Sequence, residues 1–560
     1  MSSLKKPVQE FTHFLLQRNI AHVVICPGSR NAPFIIDLAN HSAINTYSIV
    51  DERSAAFFAL GIAQQSGRPA VVISTSGTAA LNFAPALAEA YYQRIPLIAV
   101  TADRPEEWID QGEGQSIRQK DVFTNFCKGS FDLGHDFSDT DRLWYFNRQL
   151  NEAFAICDLA PKGPIHLNFQ LRESLYETTS DRVQTRFIEK VQLNQSLSIE
   201  EIESAVKELS SSKRILVLAG QLNASEDLSR HLSAFASLGQ VVVFTETHSN
   251  LHAENFVSTI DRWIMGAGEM AQLIGETEIL ITIGTNIISR KIKEILRKSA
   301  AQHWHIDEGN VSLDTFRKLS RVYPVLPKEF FCALNGKVLS NGSFAKEVLE
   351  INQGIAEKAS RYLTGSKFSD LSAIHSVLNA VPSGYDIQMG NSSIVRYFQL
   401  YDSRSDLTYF GNRGVSGIDG CTSTAIGASF ISEKPTLLVS GDLAFLYDSN
   451  AFWNKHRSEN LKIVVVNNGG GGIFRIIDGP SSTDALEQYF ETVHNRTAAS
   501  LCASFNVPCH TVTNESELPS ALQKLFESRS LAVLEIHTPR LENDGVLKNF
   551  FSAIKFLKPN

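Results

Sequence analysis

Short runs of β-branched and other apolar residues alternate with longer stretches of helical periodicity along most of the chain. Such runs lie at 22–26, 70–74, 97–101 and 164–169, then at 214–219, 240–244 and 278–283, and again at 436–440, 462–467 and 532–536. They are apolar throughout instead of alternating with polar residues, which predicts strands of parallel sheets covered by helices on both faces. The expected fold class is α/β, made of doubly wound parallel sheets. Two polar stretches break the pattern. Residues 177–198 are rich in Thr, Ser, Gln and charge, and residues 337–367 carry charged helical positions around Asn341, Gly342 and Ser343. Taken as linkers, they predict three domains, at 1–180, 195–340 and 350–560, all of ordinary single-domain size.

Composition narrows the class of function. The chain has 560 residues, 43% of them hydrophobic, enough for several cores. A net charge of -8 speaks against a nucleic-acid partner, because phosphate neutralisation needs a concentrated basic face. It leaves small anionic substrates open, since local arginines can meet those. No apolar run approaches the roughly 18–20 residues that span a bilayer, and residues 1–19 form a mixed helical pattern without a signal-peptide core. The seven cysteines are scattered, with no C-x-x-C pair, so neither a disulfide framework nor a zinc site is expected. The expectation is a reduced, cytoplasmic protein without membrane insertion.

The richest chemistry lies near the end of the chain. Two apolar runs finish in oxygen-bearing turns, Gly441-Asp442-Leu443 and Asn467-Asn468 followed by Gly469 to Gly472. Turns after parallel strands lie where ligands bind in α/β sheets. Asp442 offers a carboxylate, Asn468 an amide oxygen, and the glycine run, at Gly470, a closely approachable backbone carbonyl. Few charges and several oxygens suit Mg²⁺ bound together with a diphosphate. Either turn alone is what Gly, Asp and Asn form anywhere. The pair, 26 residues apart, resembles the binding signature for thiamine diphosphate (ThDP) that opens Gly-Asp-Gly and closes Asn-Asn, except that Leu443 replaces the second glycine.

Near the start, Glu52 opens a small-residue helical pattern just after Ile49-Val50. ThDP chemistry needs one carboxylic acid beside the aminopyrimidine ring, and a carboxyl in an apolar pocket has a raised pKa that suits proton exchange near neutrality. The plain alternative is an acid favoured by the helix dipole. Thr75-Ser76-Gly77-Thr78 is a strand-turn-helix element whose amides can hold an anion or a cofactor.

Several words together carry a family resemblance: Cys26-Pro27-Gly28-Ser29-Arg30, Asp51-Glu52-Arg53-Ser54, Thr75-Ser76-Gly77-Thr78, Thr101-Ala102-Asp103-Arg104-Pro105, Gln115-Ser116-Ile117-Arg118-Gln119, Gly390-Asn391-Ser392, the stretch Asn412 to Gly420, and Gly441-Asp442-Leu443. They resemble the 2-succinyl-5-enolpyruvyl-6-hydroxy-3-cyclohexene-1-carboxylate synthases of menaquinone biosynthesis, and Leu443 fits that branch. The resemblance spans both ends of the chain and is weakest between about 180 and 380. It implies a pyrimidine-binding first domain, a central domain without cofactor, and a diphosphate-binding third domain. ThDP and Mg²⁺, with Mn²⁺ as an alternative metal, would sit between two subunits of a homodimer or homotetramer. One subunit would give Glu52, the other Asp442, Asn468 and Gly470.

The implied substrates are 2-oxoglutarate and isochorismate. Both are dicarboxylates, for which arginine forks are suited. By motif match, the substrate residues are Arg30, Arg104, Arg396 and Arg413, with Ser29, Gln115 and Ser392 as hydrogen-bonding partners. Ser76, Gly77, Gly441 and Leu443 line the cofactor, Ile418 supports it from below, and Ile473 and Phe474 form an apolar wall. Ser289-Arg290-Lys291 inverts the family's Ser-Lys-Arg, so Arg290 and Lys291 carry over with displaced geometry. Arg475 stands where a small polar residue is expected, either as a solvated arginine or as a change to the pocket rim. No histidine pair is evident near these motifs. Another ThDP-dependent decarboxylase, an acetolactate-synthase-like carboligase, or a non-catalytic module of the same fold are the competing expectations.

Overall fold

A computed structural model describes residues 2–557 apart from 40, 135, 136, 138, 182, 184, 191–194 and 478. Three six-stranded sheets follow one another along the chain. In the first, the strands run in the order Asn45–Ser48, His22–Ile25, Ala70–Ser74, Leu97–Asp103, Ile165–Gln170, Gly129–Leu133. The third sheet repeats that order with Thr408–Gly411, Asp386–Met389, Thr436–Gly441, Leu461–Asn467, Ala532–His537 and Cys509–Val512. The middle sheet has the dinucleotide-fold order, Phe256–Val257, Val241–Thr245, Ile215–Ala219, Ile279–Ile283, Gln302–Ile306, Leu319–Tyr323. Every pairing within these sheets is parallel. Central strands such as Ala70–Ser74, Ile215–Ala219 and Leu461–Asn467 are buried at every position, as expected when helices cover both faces.

Strand order fixes where ligands go. In the first sheet the direction of winding reverses between His22–Ile25 and Ala70–Ser74, and in the third between Asp386–Met389 and Thr436–Gly441. Loops leaving the carboxyl ends at such reversals form the binding crevice of an open α/β sheet. Those four loops begin at Cys26, Thr75, Gly390 and Asp442.

First and third sheets are joined by the Glu52–Ser66 and Cys421–Ile431 helices, which cross backbone to backbone. A Cβ on Gly61 would stand 2.1 Å from the Thr424 carbonyl oxygen, and one on Gly427 2.1 Å from that of Phe58. The first unit also grips the middle one, where the Arg94 fork donates to both oxygens of Asp307 at 2.8 and 2.7 Å.

The stretch expected to be the second linker is largely a 21-residue helix, Phe344–Thr364. Phe344, Val348, Ile351, Ile355 and Ala359 are buried along one stripe and share a core with residues of both the middle and third sheets. Its charged outer face made it read as a linker; the 4-3-4-4 spacing of those five positions is what folds it. No helix among the described residues is long and apolar enough to cross a membrane, and all seven cysteines are unpaired.

Candidate active site

Glu52 is the first residue of its helix, and Asp51 caps that helix by accepting the Ser54 amide at 3.0 Å. Positions 54–63 of the helix are all buried, so its start is held rigidly beside the sheet. Burial pushes the Glu52 carboxyl above the usual carboxylate range; a backbone hydrogen bond opposes this and neighbouring Asp51 adds to it.

Close by, Gly77 donates its amide to Gln119 Oε1 at 2.8 Å. Gln115, in the left-handed region with φ 54, stands so near that a Cβ on Gly77 would lie 3.1 Å from its Cα. Ser76 is buried and Gln115 exposed. Gln119 also donates to the Ala102 carbonyl at 3.2 Å and to Asn168 at 3.1 Å, tying the Ser76-Gly77 turn to the strand that ends at Asp103. Arg104 leaves that strand. Asp103 accepts its backbone amide at 2.8 Å, while the guanidinium donates to the Gly114 carbonyl at 3.2 and 2.7 Å. Arg30 is 7% exposed; it donates to Leu171 O at 2.9 Å and pairs with Glu173 at 3.0 Å. Its pKa is lowered by burial first and also by the nearby Arg104 charge, so the two arginines share one electrostatic field. Ser29 is exposed next to Arg30.

At the third sheet, Gly441 pairs with Val466, so the ends carrying Asp442 and Asn468 emerge side by side. Asp442 is 4% exposed. One of its oxygens accepts the Leu443 amide at 2.7 Å and the other the Gly470 amide at 3.0 Å. Asn468 donates its Nδ2 to Asp370 at 2.9 Å, while its buried Oδ1 has no partner among the described residues. A Cβ on Gly470 would lie 2.6 Å from the Glu491 carbonyl, so the backbone there is stripped of any side chain. A carboxylate, an unpartnered amide oxygen and a bare backbone make an oxygen donor set that fits a hard divalent cation. Ile473 is buried and Phe474 half-buried beside this set, with the Phe474 ring 5.7 Å from that of Phe490.

Ser392 adopts φ 68 at the start of the Ser393–Phe398 helix, which carries Arg396. Arg413 is 9% exposed and donates to Asn391 Oδ1 at 2.7 Å. Asn391 in turn donates to the carbonyls of Asn412 and Gly417 at 2.7 and 2.6 Å. The Nε–H groups of Arg396 and Arg413 are buried with no acceptor among the described residues. Burial lowers the pKa of both. Ile418 is half-buried at the end of the same loop.

The basic pair of the middle unit divides. Glu246 Oε1 accepts the amides of Ile288 and Ser289 at 2.9 and 3.0 Å and so fixes the start of the Arg290–Lys298 helix. Arg290 lies within the field of Arg396. Lys291, one position on, lines a cleft of about 340 Å³ with Gln272, Glu294 and Lys298 and also lies within the field of Asp261, which Arg396 shares. The physical reason is helical register: three residues on from Arg290 returns to its face, whereas one residue on turns away by about 100°. The lysine on Arg290's face is the half-buried Lys293, whose pKa is lowered by burial and which feels the charges of Glu246, Arg413 and Arg396. Its spacing from the Ser-Arg-Lys word was the only signal that could have singled it out.

One further residue escaped the sequence, and one that it singled out takes an ion-paired place. His494 lies with Nε2 3.4 Å from Asp442 Oδ2, and that contact raises its pKa against the opposing effect of burial. Arg475 is neither solvated nor unpaired: it reaches Glu487 at 2.8 Å and the fully buried Glu491 at 2.7 Å, and Arg540 joins Glu491 at 2.9 Å.

Comparison with known proteins gives the family. The family described as thiamine pyrophosphate enzyme, N-terminal TPP binding domain, matches residues 8–122; the middle domain of thiamine pyrophosphate enzymes matches 184–387, and the C-terminal TPP binding domain 388–536. A 2-succinyl-5-enolpyruvyl-6-hydroxy-3-cyclohexene-1-carboxylate synthase of Flavobacterium psychrophilum is 41% identical over 540 residues, covering 96% of each chain. This chain belongs to that synthase family. Synthases of Porphyromonas gingivalis and Bacteroides fragilis are 38% and 34% identical, over 98% and 99% of the chain. Benzoylformate decarboxylase from Polynucleobacter necessarius, at 15% identity, has the same fold, with a TM-score of 0.70 over 96% of this chain and 99% of that one. Membership in the synthase family makes this chain a ThDP-dependent enzyme.

Proposed function

We propose that the chain decarboxylates 2-oxoglutarate and adds the remaining four-carbon fragment to isochorismate. The products are 2-succinyl-5-enolpyruvyl-6-hydroxy-3-cyclohexene-1-carboxylate and CO₂, in menaquinone biosynthesis. When bound, ThDP supplies the electron sink that allows loss of CO₂ and formation of the new carbon–carbon bond. The reading is carried by Arg396 and Arg413, whose buried Nε–H groups have no acceptor among the described residues. A buried guanidinium without full pairing is costly, and an incoming dicarboxylate would satisfy it bidentately. Arg30, Arg104 and Arg290 would meet the other carboxylates, with Ser29, Gln115 and Ser392 hydrogen-bonding to substrate. Lys291, which acts on the same Asp261 as Arg396, and the half-buried Lys293 would add positive charge at the edge of this set.

Glu52, with its carboxyl raised by burial, would hold and return a proton at the aminopyrimidine ring. Asp442, Asn468 and the Gly470 carbonyl would hold Mg²⁺ and, through it, the diphosphate. Ser76, Gly77, Gly441 and Leu443 would flank the cofactor and Ile418 would support its bend. Ile473 and Phe474 would exclude water from the reacting carbons. Glu52 and the metal set would act together across a subunit interface, making a homodimer the smallest active unit. We read the domains as 1–180, 195–340 and 350–560, and the compartment as the cytoplasm.

The test is steady-state CO₂ release with ThDP and Mg²⁺ from 2-oxoglutarate or pyruvate, each with and without isochorismate. Release from 2-oxoglutarate that rises when isochorismate is present is expected. Turnover of pyruvate without need of isochorismate would instead indicate an acetolactate-synthase-like or simple decarboxylase activity.

A further inference from the structure

Glu89 lies in the Ala84–Gln93 helix of the first unit and is 1% exposed. Both of its oxygens accept amides from outside that unit, and one also accepts from Gln93 of its own helix. Oε1 accepts the Gly414 amide at 2.5 Å and Gln93 Nε2 at 2.5 Å, and Oε2 accepts the Val415 amide at 2.8 Å. The Ser416 amide lies near enough to favour the charged carboxylate as well. Consecutive amides converging on one carboxylate form a backbone nest, whose natural occupant is an anion. Gly414 is required for the approach, since a Cβ there would stand 2.4 Å from the Glu89 carbonyl oxygen.

On its other side the same loop is held by Asn391, through the carbonyls of Asn412 and Gly417. Asn391 therefore grips the ends of the loop and Glu89 its middle. Arg413 lies just before the Glu89 contacts and Ile418 just after them. Among the described residues the Arg413 side chain donates through Nη1 to Asn391, while its Nε–H is buried without an acceptor, so the direction of its remaining donors depends on where the loop backbone is held.

We infer that Glu89 is a positioning residue that sets Arg413 and Ile418 for substrate and cofactor by clamping the Gly414–Ser416 amides from a different structural unit. The inference rests on the function proposed above for Arg413 and Ile418. It also gives the fold a connection of functional consequence. The helix bearing Glu89 follows the Ser76-Gly77 turn, so one cofactor-binding segment is coupled through a buried carboxylate to the loop carrying another.

The test uses the ThDP- and Mg²⁺-loaded enzyme and the variants Glu89→Gln, Glu89→Ala, Arg413→Ala and the Glu89→Ala/Arg413→Ala pair. Glu89→Gln keeps size and one acceptor oxygen and guards against simple misfolding. Hydrogen exchange should accelerate about tenfold at residues 414–416 in Glu89→Gln, with the Ala84–Gln93 helix still protected. KM for the dicarboxylate substrates should rise about tenfold, more than kcat falls. In the Arg413→Ala background the Glu89 substitution should change KM by less than about twofold, because the two act on one interaction. Unchanged exchange at 414–416, or additive effects of the two substitutions on KM, would overturn the inference. Accelerated exchange in an enzyme whose wild type turns over neither substrate would sink the functional reading and retain the clamp.

Discussion

Asn468 illustrates how a contact remote in sequence decides what a side chain offers. An amide can present either oxygen or nitrogen, and only an acceptor on its nitrogen side settles which. Asp370 is that acceptor, with its other oxygen committed to Thr538 and to Asn543 at 3.0 Å. Burial pushes the Asp370 carboxyl up to about 6 while hydrogen bonds from Thr538 and Asn468 oppose the shift. Asp370→Ala is expected to free the amide and weaken divalent-metal binding about 10- to 100-fold, measured by Mn²⁺ titration of the ThDP-loaded protein; unchanged affinity would contradict the assignment. Glu10, 1% exposed, gives a prediction about stability. Burial pushes its carboxyl up to about 7 against a hydrogen bond from Asn147. The stabilisation from its protonated form is full below about pH 4 and lost as pH rises through about 7, a change of about 3 kcal/mol. Glu10→Gln should therefore match wild type in thermal stability at pH 4 and exceed it at pH 8. The candidate site was legible at this scale wherever its residues form contiguous words, as in Gly441-Asp442-Leu443 or Asp51-Glu52-Arg53. Asp370, His494 and Glu89 were not, because no spacing rule links residues that meet only across folded units.

Between elements, the closest approach is the crossing of the Glu52–Ser66 and Cys421–Ile431 helices. Gly61→Val would drive a branched side chain into the Thr424 backbone, so a loss of about 3 kcal/mol is expected, seen as a lowered thermal midpoint and lost cofactor binding. Equal stability would mean that the two helices separate freely. Arg475 pins the Leu486–Glu491 segment, itself next to the glycine run, since Gly471 donates to the Glu491 carbonyl at 2.6 Å. Arg475→Ser, the kind of small polar residue expected there, should speed limited proteolysis within 486–493; an unaltered cleavage rate would show that Arg540 alone suffices. Central strands were readable because burial on both faces leaves long apolar runs. Edge strands such as Asn45–Ser48, half-exposed and polar, carry no such run. The Phe344–Thr364 helix was missed because its apolar stripe is diluted by charge on the outer face.

Across the whole molecule, first and third sheets share one strand order, and each points its reversal loops at a ligand crevice. That duplication was hidden from the sequence, since edge strands had to be located before the order could be compared. If each site combines Glu52 from one subunit with Asp442 from its partner, mixing inactive Glu52→Gln and Asp442→Ala proteins under exchange conditions should restore about a quarter of wild-type activity. No recovery in a mixture proven to exchange would place both residues in a single-subunit site. The central claim, a ThDP-dependent carboligation that relies on Glu52, is tested most directly by single-turnover product formation. The enzyme would be loaded with ThDP and Mg²⁺ and mixed with 2-oxoglutarate and isochorismate. One equivalent of 2-succinyl-5-enolpyruvyl-6-hydroxy-3-cyclohexene-1-carboxylate per site, slowed at least about 100-fold in Glu52→Gln, is the predicted result; CO₂ release without that product, or a Glu52→Gln enzyme as fast as wild type, would contradict it.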